Sequence, residues 1–109
     1  MNRIDNIITQ HRAEKIMNDV AEHFSTSVSL ILSPLRCRQL ADARCVISYI
    51  LYELEGCTFR EIGRLLHRTH PAIIYHERKA VWWMRNPKIN KEGAKAIRTI
   101  ASKNGYYKN

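Results

Sequence analysis

Two helical patterns separated by a very short turn, between residues 58 and 79, constrain the fold of this chain more than any other segment. Thr58 and Glu61 have the Thr-x-x-Glu spacing of a capping box, in which each residue bonds to the backbone of the other. This spacing predicts a helix that begins after Thr58. Apolar side chains recur on one side of that helix, at Ile62, Leu65 and Leu66.

The second helix of the pair is predicted to begin at Thr69 or His70. Pro71 suits the first turn of a helix, where its missing N–H costs nothing. The apolar pattern then runs to about Met84. Two helices joined by so short a turn are typical of a helix-turn-helix, here over about residues 58–84. In that motif the second helix enters the major groove of DNA, and polar side chains begin it here.

The whole chain, residues 1–109, is predicted to be one small all-α domain of six helices. Helical periodicity covers about Asp5 to His23 and about Gln39 to Leu54, with a single turn at Val28–Leu32 between them. A last helix is predicted from a cap at Asn90 to about Ala101. No alternating pattern predicts a strand. The polar end, about residues 102–109, is expected to be a flexible tail.

Positive charge is concentrated in the second half of the chain, whose net charge is +8. Residues 34–85 hold nine Lys and Arg against five Asp and Glu, and residues 86–109 hold six against one. Residues 1–33 hold three against four. A basic half of this kind favours a polyanionic partner, most simply a nucleic acid.

The cysteines, Cys37, Cys45 and Cys57, are odd in number and lack a CxxC pair. They indicate neither a disulfide framework nor a zinc site, so we expect small, reduced core residues. No apolar run approaches the roughly 18 residues of a membrane span, and the first residues do not resemble a signal peptide. We therefore expect a cytoplasmic protein with no membrane partner.

Catalysis is not expected from the residue types present. A zinc site needs three or four convergent ligands, and a metal nuclease needs clustered carboxylates. The histidines lack such partners in the sequence, although three fall in or near the helix-turn-helix, at His67, His70 and His76. The sequence thus predicts a protein that is not an enzyme, with no cofactor, no metal and no small-molecule substrate.

Over about residues 16–100 the chain resembles the C-terminal DNA-binding domain of the bacterial replication initiator DnaA. The matching residues are Val20-Ala-Glu22, the basic loop from Pro34, Glu53-Leu54, Glu61-Ile-Gly63, Arg68-x-His70 and Arg78-Lys79. The resemblance implies a long helix, a short helix, a basic loop, a further helix and then the helix-turn-helix. It also implies sequence-specific binding to double-stranded DNA, in origin recognition or transcriptional regulation, for a bacterial, plasmid- or phage-encoded protein.

The chain departs from the family pattern at several points. The turn is one residue shorter, and Thr69-His70-Pro71-Ala72 stands where the family has Asp-His-Thr-Thr. Arg44 aligns with the family's arginine that reaches into the minor groove, but its neighbours are Ala43 and Cys45 rather than Pro and Gln. There is no Gly-rich phosphate loop, so no ATP hydrolysis is expected.

The resemblance and the charge pattern together give a set of candidate DNA-binding residues. The resemblance implies that residues 69–72 read the major groove and that Arg44 enters the minor groove. The other members are expected near phosphates. The complete set is Arg36, Arg38, Arg44, Thr58, Arg60, Arg68, Thr69, His70, Pro71, Ala72, Tyr75, Arg78 and Lys79.

Two other functions fit the same residues. In a protein-interaction module the helix-turn-helix is only structural, and Trp82 and Trp83 mark a surface for a partner or for self-association. In a binder of single-stranded nucleic acid, Tyr75, Trp82 and Tyr106-Tyr107 are stacking platforms. Structural roles also remain open for single residues, because His70 can cap a helix and each arginine can be a solvated surface charge.

Overall fold

The computed structural model describes residues 3–107, with side chains from residue 9 onward. This part of the chain contains no strand and folds into six α-helices: α1 (Arg3–His23), α2 (Val28–Leu32), α3 (Arg38–Tyr49), α4 (Phe59–Leu66), α5 (His70–Arg85) and α6 (Lys91–Lys103). A π-helical turn, Ile50–Leu54, continues α3. The all-α prediction is confirmed. None of these helices has the length and apolar character needed to cross a membrane.

Helix α3 lies at the centre of the domain. It packs most extensively against α5 and also contacts α1, α2 and α6. The apolar stripes predicted for α1 and α3 face each other in the core, since their side chains are buried at Ala13, Ile16, Met17, Val20, Ala21, Leu40, Ala43, Ile47, Ile50 and Leu51. The second helix of the helix-turn-helix is therefore fixed against the best-buried helix of the protein.

The helix starts that the sequence predicted are closed by side-chain caps. Thr58 Oγ1 accepts a hydrogen bond from the Glu61 amide at 3.1 Å, and Glu61 Oε1 accepts one from the Thr58 amide at 2.8 Å. Asn90 Oδ1 accepts from the Gly93 amide at 2.9 Å. Each cap satisfies an amide that the helix leaves free and stabilises the fold by about 1 kcal/mol. Local sequence therefore determines where α4 and α6 begin.

The two adjacent tryptophans have opposite environments. Trp83 is 1% exposed, and Trp82 is 52% exposed. A Cβ atom added at Gly93 would lie 2.6 Å from Trp83 Cε3, so the Trp83 ring packs directly on the α6 backbone. Trp83 therefore belongs to the core, and Trp82 lies on the surface. Trp83 cannot contribute to a partner surface, because α6 covers it.

The segment expected to be a flexible tail is engaged with the body of the domain as far as Tyr106. Helix α6 continues to Lys103, and Tyr106 Oη donates to the Leu54 carbonyl at 2.9 Å and also bonds to Glu55. Arg12 holds the same Glu55 carboxylate with two hydrogen bonds of 2.8 Å. Polarity alone suggested fraying, whereas these distant partners anchor the segment. Residues 108 and 109 of the predicted tail lie outside the described residues.

The three cysteines are free thiols, but only two belong to the core. Cys45 and Cys57 are buried, and burial raises their pKa values to about 12 and about 11. Cys37 is exposed at the residue before α3. The expectation of core cysteines is therefore wrong for Cys37, because the basic loop that carries it lies on the surface.

Candidate nucleic-acid interface

Helix α4 and helix α5 are joined by only three residues, His67, Arg68 and Thr69. His67 adopts the left-handed conformation, with φ 55° and ψ 45°, which reverses the chain directly after α4. A Cβ atom at Gly63 would lie 2.8 Å from the Arg68 carbonyl oxygen, so the returning backbone touches α4 there. The close contact at Gly63 is thus made by the turn itself, which leaves no room there for a side chain.

The first residues of α5 project from the domain. Thr69, His70 and Pro71 are exposed, and Ala72 is half-buried. Thr69 is the cap, since its Oγ1 atom accepts a hydrogen bond from the Ala72 amide at 3.4 Å. The structure thereby resolves the choice between Thr69 and His70 as the cap, and it leaves the His70 imidazole without that role.

Further along α5, the exposed face carries both aromatic and basic residues. Tyr75 is 61% exposed, and Trp82 and Arg78 are also exposed. Lys79 is half-buried, and its ammonium group lies 5.7 Å from the centre of the Tyr75 ring, within the range of a cation–π contact. Tyr75 is thus a surface residue beside a cation. The buried side of α5 is formed by Ile73, Glu77, Ala80 and Trp83.

Arg44 is not where the resemblance implied. It is 3% exposed, and its Nε atom donates to the Ile31 carbonyl at 2.8 Å, while Nη2 donates to the Ser33 carbonyl at 2.9 Å. These carbonyls belong to the last turn of α2, which has no intrahelical donors for them. The expectation that Arg44 enters a minor groove is corrected, because its guanidinium closes the end of α2. Burial, together with the nearby Arg68, lowers the pKa of Arg44.

Arg68 serves the same helix end from the turn of the helix-turn-helix. Its Nη2 atom donates to the Ser33 carbonyl at 2.6 Å, and its Nη1 atom donates to the Leu32 carbonyl at 3.4 Å. The Arg68 side chain is only half-buried. It therefore has a structural role, and part of its guanidinium still faces solvent beside the start of α5.

The basic loop lies next to the recognition side of α5. Arg36 and Arg38 are exposed, and Arg38 makes only a long ion pair of 4.0 Å with Asp42. An open groove of about 640 Å³ separates this loop from α5, and Ala72 and His76 line its far side. Two elements that lie more than 30 residues apart in sequence thus line one groove, whose surroundings we call the basic surface because Arg36, Arg38 and Arg68 line it.

Helix α4 contributes further cations to this surface. Arg60 and Arg64 are exposed, and they lie with His67, Thr69 and His70 around a shallow depression beside the turn. Thr58 is also exposed, but its hydroxyl already accepts the capping hydrogen bond of α4. Among the side chains that the structure describes, none pairs with the Arg60 guanidinium, whereas the Thr58 hydroxyl serves the helix cap.

His76 is a residue whose role the sequence did not reveal. Its Nδ1 atom lies 3.5 Å from Cys45 Sγ, where α5 meets α3. Burial, together with the nearby cations Arg44, Arg68 and Lys79, lowers the pKa of His76 to about 4. The imidazole is therefore neutral near pH 7. His76 follows Ala72 by four residues, so the two side chains lie on the same face of α5. This spacing is the one feature of the sequence that could have suggested a role for His76.

Metal binding finds no support among the side chains that the structure describes. Within that part of the chain, no three His, Cys, Asp or Glu side chains come close enough to hold an ion. His76 is turned toward α3, whereas His67 and His70 are exposed near the turn. The three histidines that prompted the question therefore do not converge.

Comparison with known proteins identifies the family. Residues 13–80 match the family described as bacterial dnaA protein helix-turn-helix. A relative, the chromosomal replication initiator protein DnaA of Mycobacteroides abscessus, is 34% identical over 70 residues, which is 64% of this chain and 14% of that protein. The chain thus spans about a seventh of the length of this relative. With most of the chain matched, including α4 and most of α5, it belongs to the bacterial DnaA helix-turn-helix family.

Proposed function

We propose that this domain binds double-stranded DNA by placing the start of α5 in the major groove. The observation that carries the proposal is the exposure of Thr69, His70 and Pro71 at the start of the second helix of the motif, beside a basic surface. In helix-turn-helix proteins these first residues of the second helix meet the base edges. The matched family, described as a helix-turn-helix, supports this assignment.

The size of α5 limits which of its residues reach the groove. Its 16 residues span about 24 Å, whereas the major groove is about 12 Å wide. Only about the first two turns, from Thr69 to about Tyr75, fit inside. Arg78 and Lys79 then lie at the level of the phosphates, and Trp82 lies beyond the groove.

The capping hydrogen bond restricts what Thr69 can read. Its oxygen already accepts from the Ala72 amide, which leaves its hydroxyl hydrogen to donate and one lone pair to accept. A donor matches guanine O6 and N7, adenine N7 or thymine O4. The aspartate of the family pattern only accepts, which suits a cytosine amino group. We therefore propose a target sequence that differs from that of relatives with aspartate at this position.

Affinity for the backbone is assigned to the exposed arginines around the groove. The proposed phosphate contacts are Arg36 and Arg38 from the basic loop, with Arg60, Arg64 and Arg78 from the helix-turn-helix. Arg44 is left out because it is buried and bonded to α2. Arg68 is proposed to contact a phosphate with the part of its guanidinium that faces solvent.

The biological role that we propose is recognition of a replication origin or control of transcription. The relative named above is a replication initiator, which favours the first. The chain contains no Gly-rich phosphate loop, so we propose that it acts by binding rather than by nucleotide hydrolysis. Sequences selected from random duplexes would show which genomic sites the domain prefers.

Salt dependence tests the proposal. We expect the logarithm of the affinity for a selected duplex to fall steeply with the logarithm of salt concentration, with a slope of about −0.9 for each phosphate contacted. Arg60→Ala and Arg78→Ala should each make the slope shallower by about 1. Arg98→Ala, an exposed arginine on α6, is the matched control and should leave it unchanged. A slope near zero, or stronger binding to the single strand than to the duplex, would contradict the proposal.

A further inference from the structure

A stack of two aromatic rings lies outside the core, at the junction of the π-helical turn and α4. The ring centres of Tyr52 and Phe59 are 3.9 Å apart, and their planes are within 4° of parallel. Tyr52 is 37% exposed, and Phe59 is half-buried. Phe59 also packs against the edge of the core, whereas Tyr52 does not belong to it.

The stack continues to the first residue of the recognition helix. The centre of the Phe59 ring lies 5.9 Å from the centre of the His70 imidazole, with 34° between the planes. This distance lies within the range in which aromatic rings attract each other. Three rings thus connect the π-helical turn, the start of α4 and the start of α5. They form one wall of a shallow pocket that Thr58 and Arg60 complete.

The backbone positions of the three rings are fixed. Phe59 is the first residue of α4 and follows the Thr58 capping box, so its Cα atom is held by the cap. Tyr52 lies in a π-helical turn, a rare conformation that often occurs at functional sites, while Ile50 and Leu51 of the same turn are buried. By contrast, the His70 side chain is exposed, and no hydrogen bond of the described residues holds it.

We propose that Tyr52 and Phe59 are positioning residues that hold the His70 imidazole in the orientation in which it reads DNA. The proposal rests on the function proposed above. An exposed side chain loses rotational freedom when it binds, and a side chain that is already oriented loses less. Phe59 orients His70 directly, and Tyr52 acts through Phe59.

This arrangement affects specificity more than overall affinity. Contacts of the arginines with phosphates do not depend on the His70 rotamer, so binding to random DNA is insensitive to the stack. Only the contact of the imidazole with a base edge benefits. Loss of the stack should therefore reduce the ratio of affinities for the preferred and scrambled duplexes.

The first arm of the test uses the free protein and needs no DNA. In NMR spectra, Phe59→Leu removes the aromatic ring beside His70 but keeps an apolar side chain, so the His70 ring-proton signals should move. Tyr52→Leu should move them less and in the same direction. Tyr52→Phe keeps the stack and is the matched control, with signals as in the parent. Unchanged His70 signals in Phe59→Leu would overturn the proposal.

The second arm measures binding. Phe59→Leu and Tyr52→Leu should reduce the ratio of affinities for preferred and scrambled duplexes by about 2- to 10-fold, in line with the strength of aromatic pairs. Neither substitution should reduce the ratio further when His70→Ala is already present. A purely structural role would lower both affinities equally, and that result would overturn the proposal.

The two arms separate failure of this proposal from failure of the proposed function. If the parent prefers no duplex over its scrambled form, the proposed function fails, and the role of the stack in reading DNA fails with it. If the parent is specific and Phe59→Leu keeps the full ratio, only the positioning role fails. Melting temperatures of all variants identify any that are unfolded, and if Phe59→Leu is unfolded, Tyr52→Leu carries the test.

Discussion

Arg44 and Arg68 donate hydrogen bonds to the same acceptor, the backbone carbonyl of Ser33, at 2.9 and 2.6 Å. Arg44 comes from α3, and Arg68 comes from the turn of the helix-turn-helix. The basic loop begins directly after Ser33. The shared carbonyl therefore ties three elements together, and it sets the position of the basic loop relative to α5.

Arg44→Leu should destabilise the domain. The substitution removes the hydrogen bond to the Ile31 carbonyl and one of those to the Ser33 carbonyl. Leaving such acceptors without a donor costs about 1–3 kcal/mol. Arg38→Leu, in an exposed position, should change the free energy of unfolding by less than about 0.5 kcal/mol. Urea denaturation followed by circular dichroism measures both. Equal stability of Arg44→Leu and the parent would show that this arginine is free for another partner.

The buried Glu77 should make stability depend on pH. Burial, with a smaller contribution from the nearby Glu53, raises its pKa from about 4.5 to about 7. The folded state thus holds this proton more tightly than the unfolded chain does. The stabilisation is fully present below about pH 4.5 and is lost as the pH rises to about 7. Glu77→Gln, whose side chain stays neutral, should not lose this stabilisation as the pH rises.

The measurement for Glu77 is the difference in unfolding free energy between Glu77→Gln and the parent across this pH range. As the pH rises, the variant should become more stable relative to the parent, by on the order of 3 kcal/mol. His76 has the opposite effect, because its lowered pKa makes the folded state lose stability as the pH falls below about 6.5. That effect is common to both proteins and cancels in the difference. A difference that does not change with pH would show that our assignment for Glu77 is wrong.

Gly63→Ala should destabilise the domain although alanine favours helices. In an open helix the change would gain about 1 kcal/mol. Here the added Cβ atom would lie 2.8 Å from the Arg68 carbonyl oxygen. This oxygen belongs to the backbone, so it can move only if the whole turn moves. We expect a net loss of about 1–3 kcal/mol. Thermal unfolding measures it, and a raised melting temperature would show that the turn has room to shift.

The sequence alone was sufficient to predict those structural features that depend on residues close together in the chain. Thr58 with Glu61 and Asn90 with Gly93 are three residues apart, so their caps could be read directly. The apolar spacing of α1 and α3 likewise predicted which side chains are buried. Exposure of the start of α5 also follows from local pattern, because polar residues and Pro71 occur there together.

Long-range contacts explain what the sequence did not predict. Arg44 looked like a surface cation, but its partners lie 11 to 14 residues earlier, at the end of α2. Tyr106 appeared to belong to a loose tail, and its partner Leu54 lies 52 residues away. The burial of Glu77 depends on how α5 packs against α3. No local pattern encodes such pairings, since they arise only when the helices assemble.

Thr69→Asp should change base preference. A carboxylate at this position gains roughly 1–3 kcal/mol where it meets a cytosine amino group. Elsewhere it repels phosphate, so binding to random DNA should weaken. Selection from random duplexes with parent and variant measures the shift, and Thr26→Asp, far from the helix-turn-helix in sequence, controls for added charge. An equal loss on every sequence would mean that residue 69 does not face a base.

The central claim is that the start of α5 reads DNA, and the affinity ratio of His70→Ala tests it most directly. We predict that this variant binds the parent's preferred duplex more weakly by about 1–3 kcal/mol, while its affinity for a scrambled duplex is unchanged. His11→Ala, an exposed histidine on α1, should match the parent on both. If His70→Ala keeps the parent's ratio of the two affinities, residue 70 does not read the major groove, and the account is contradicted.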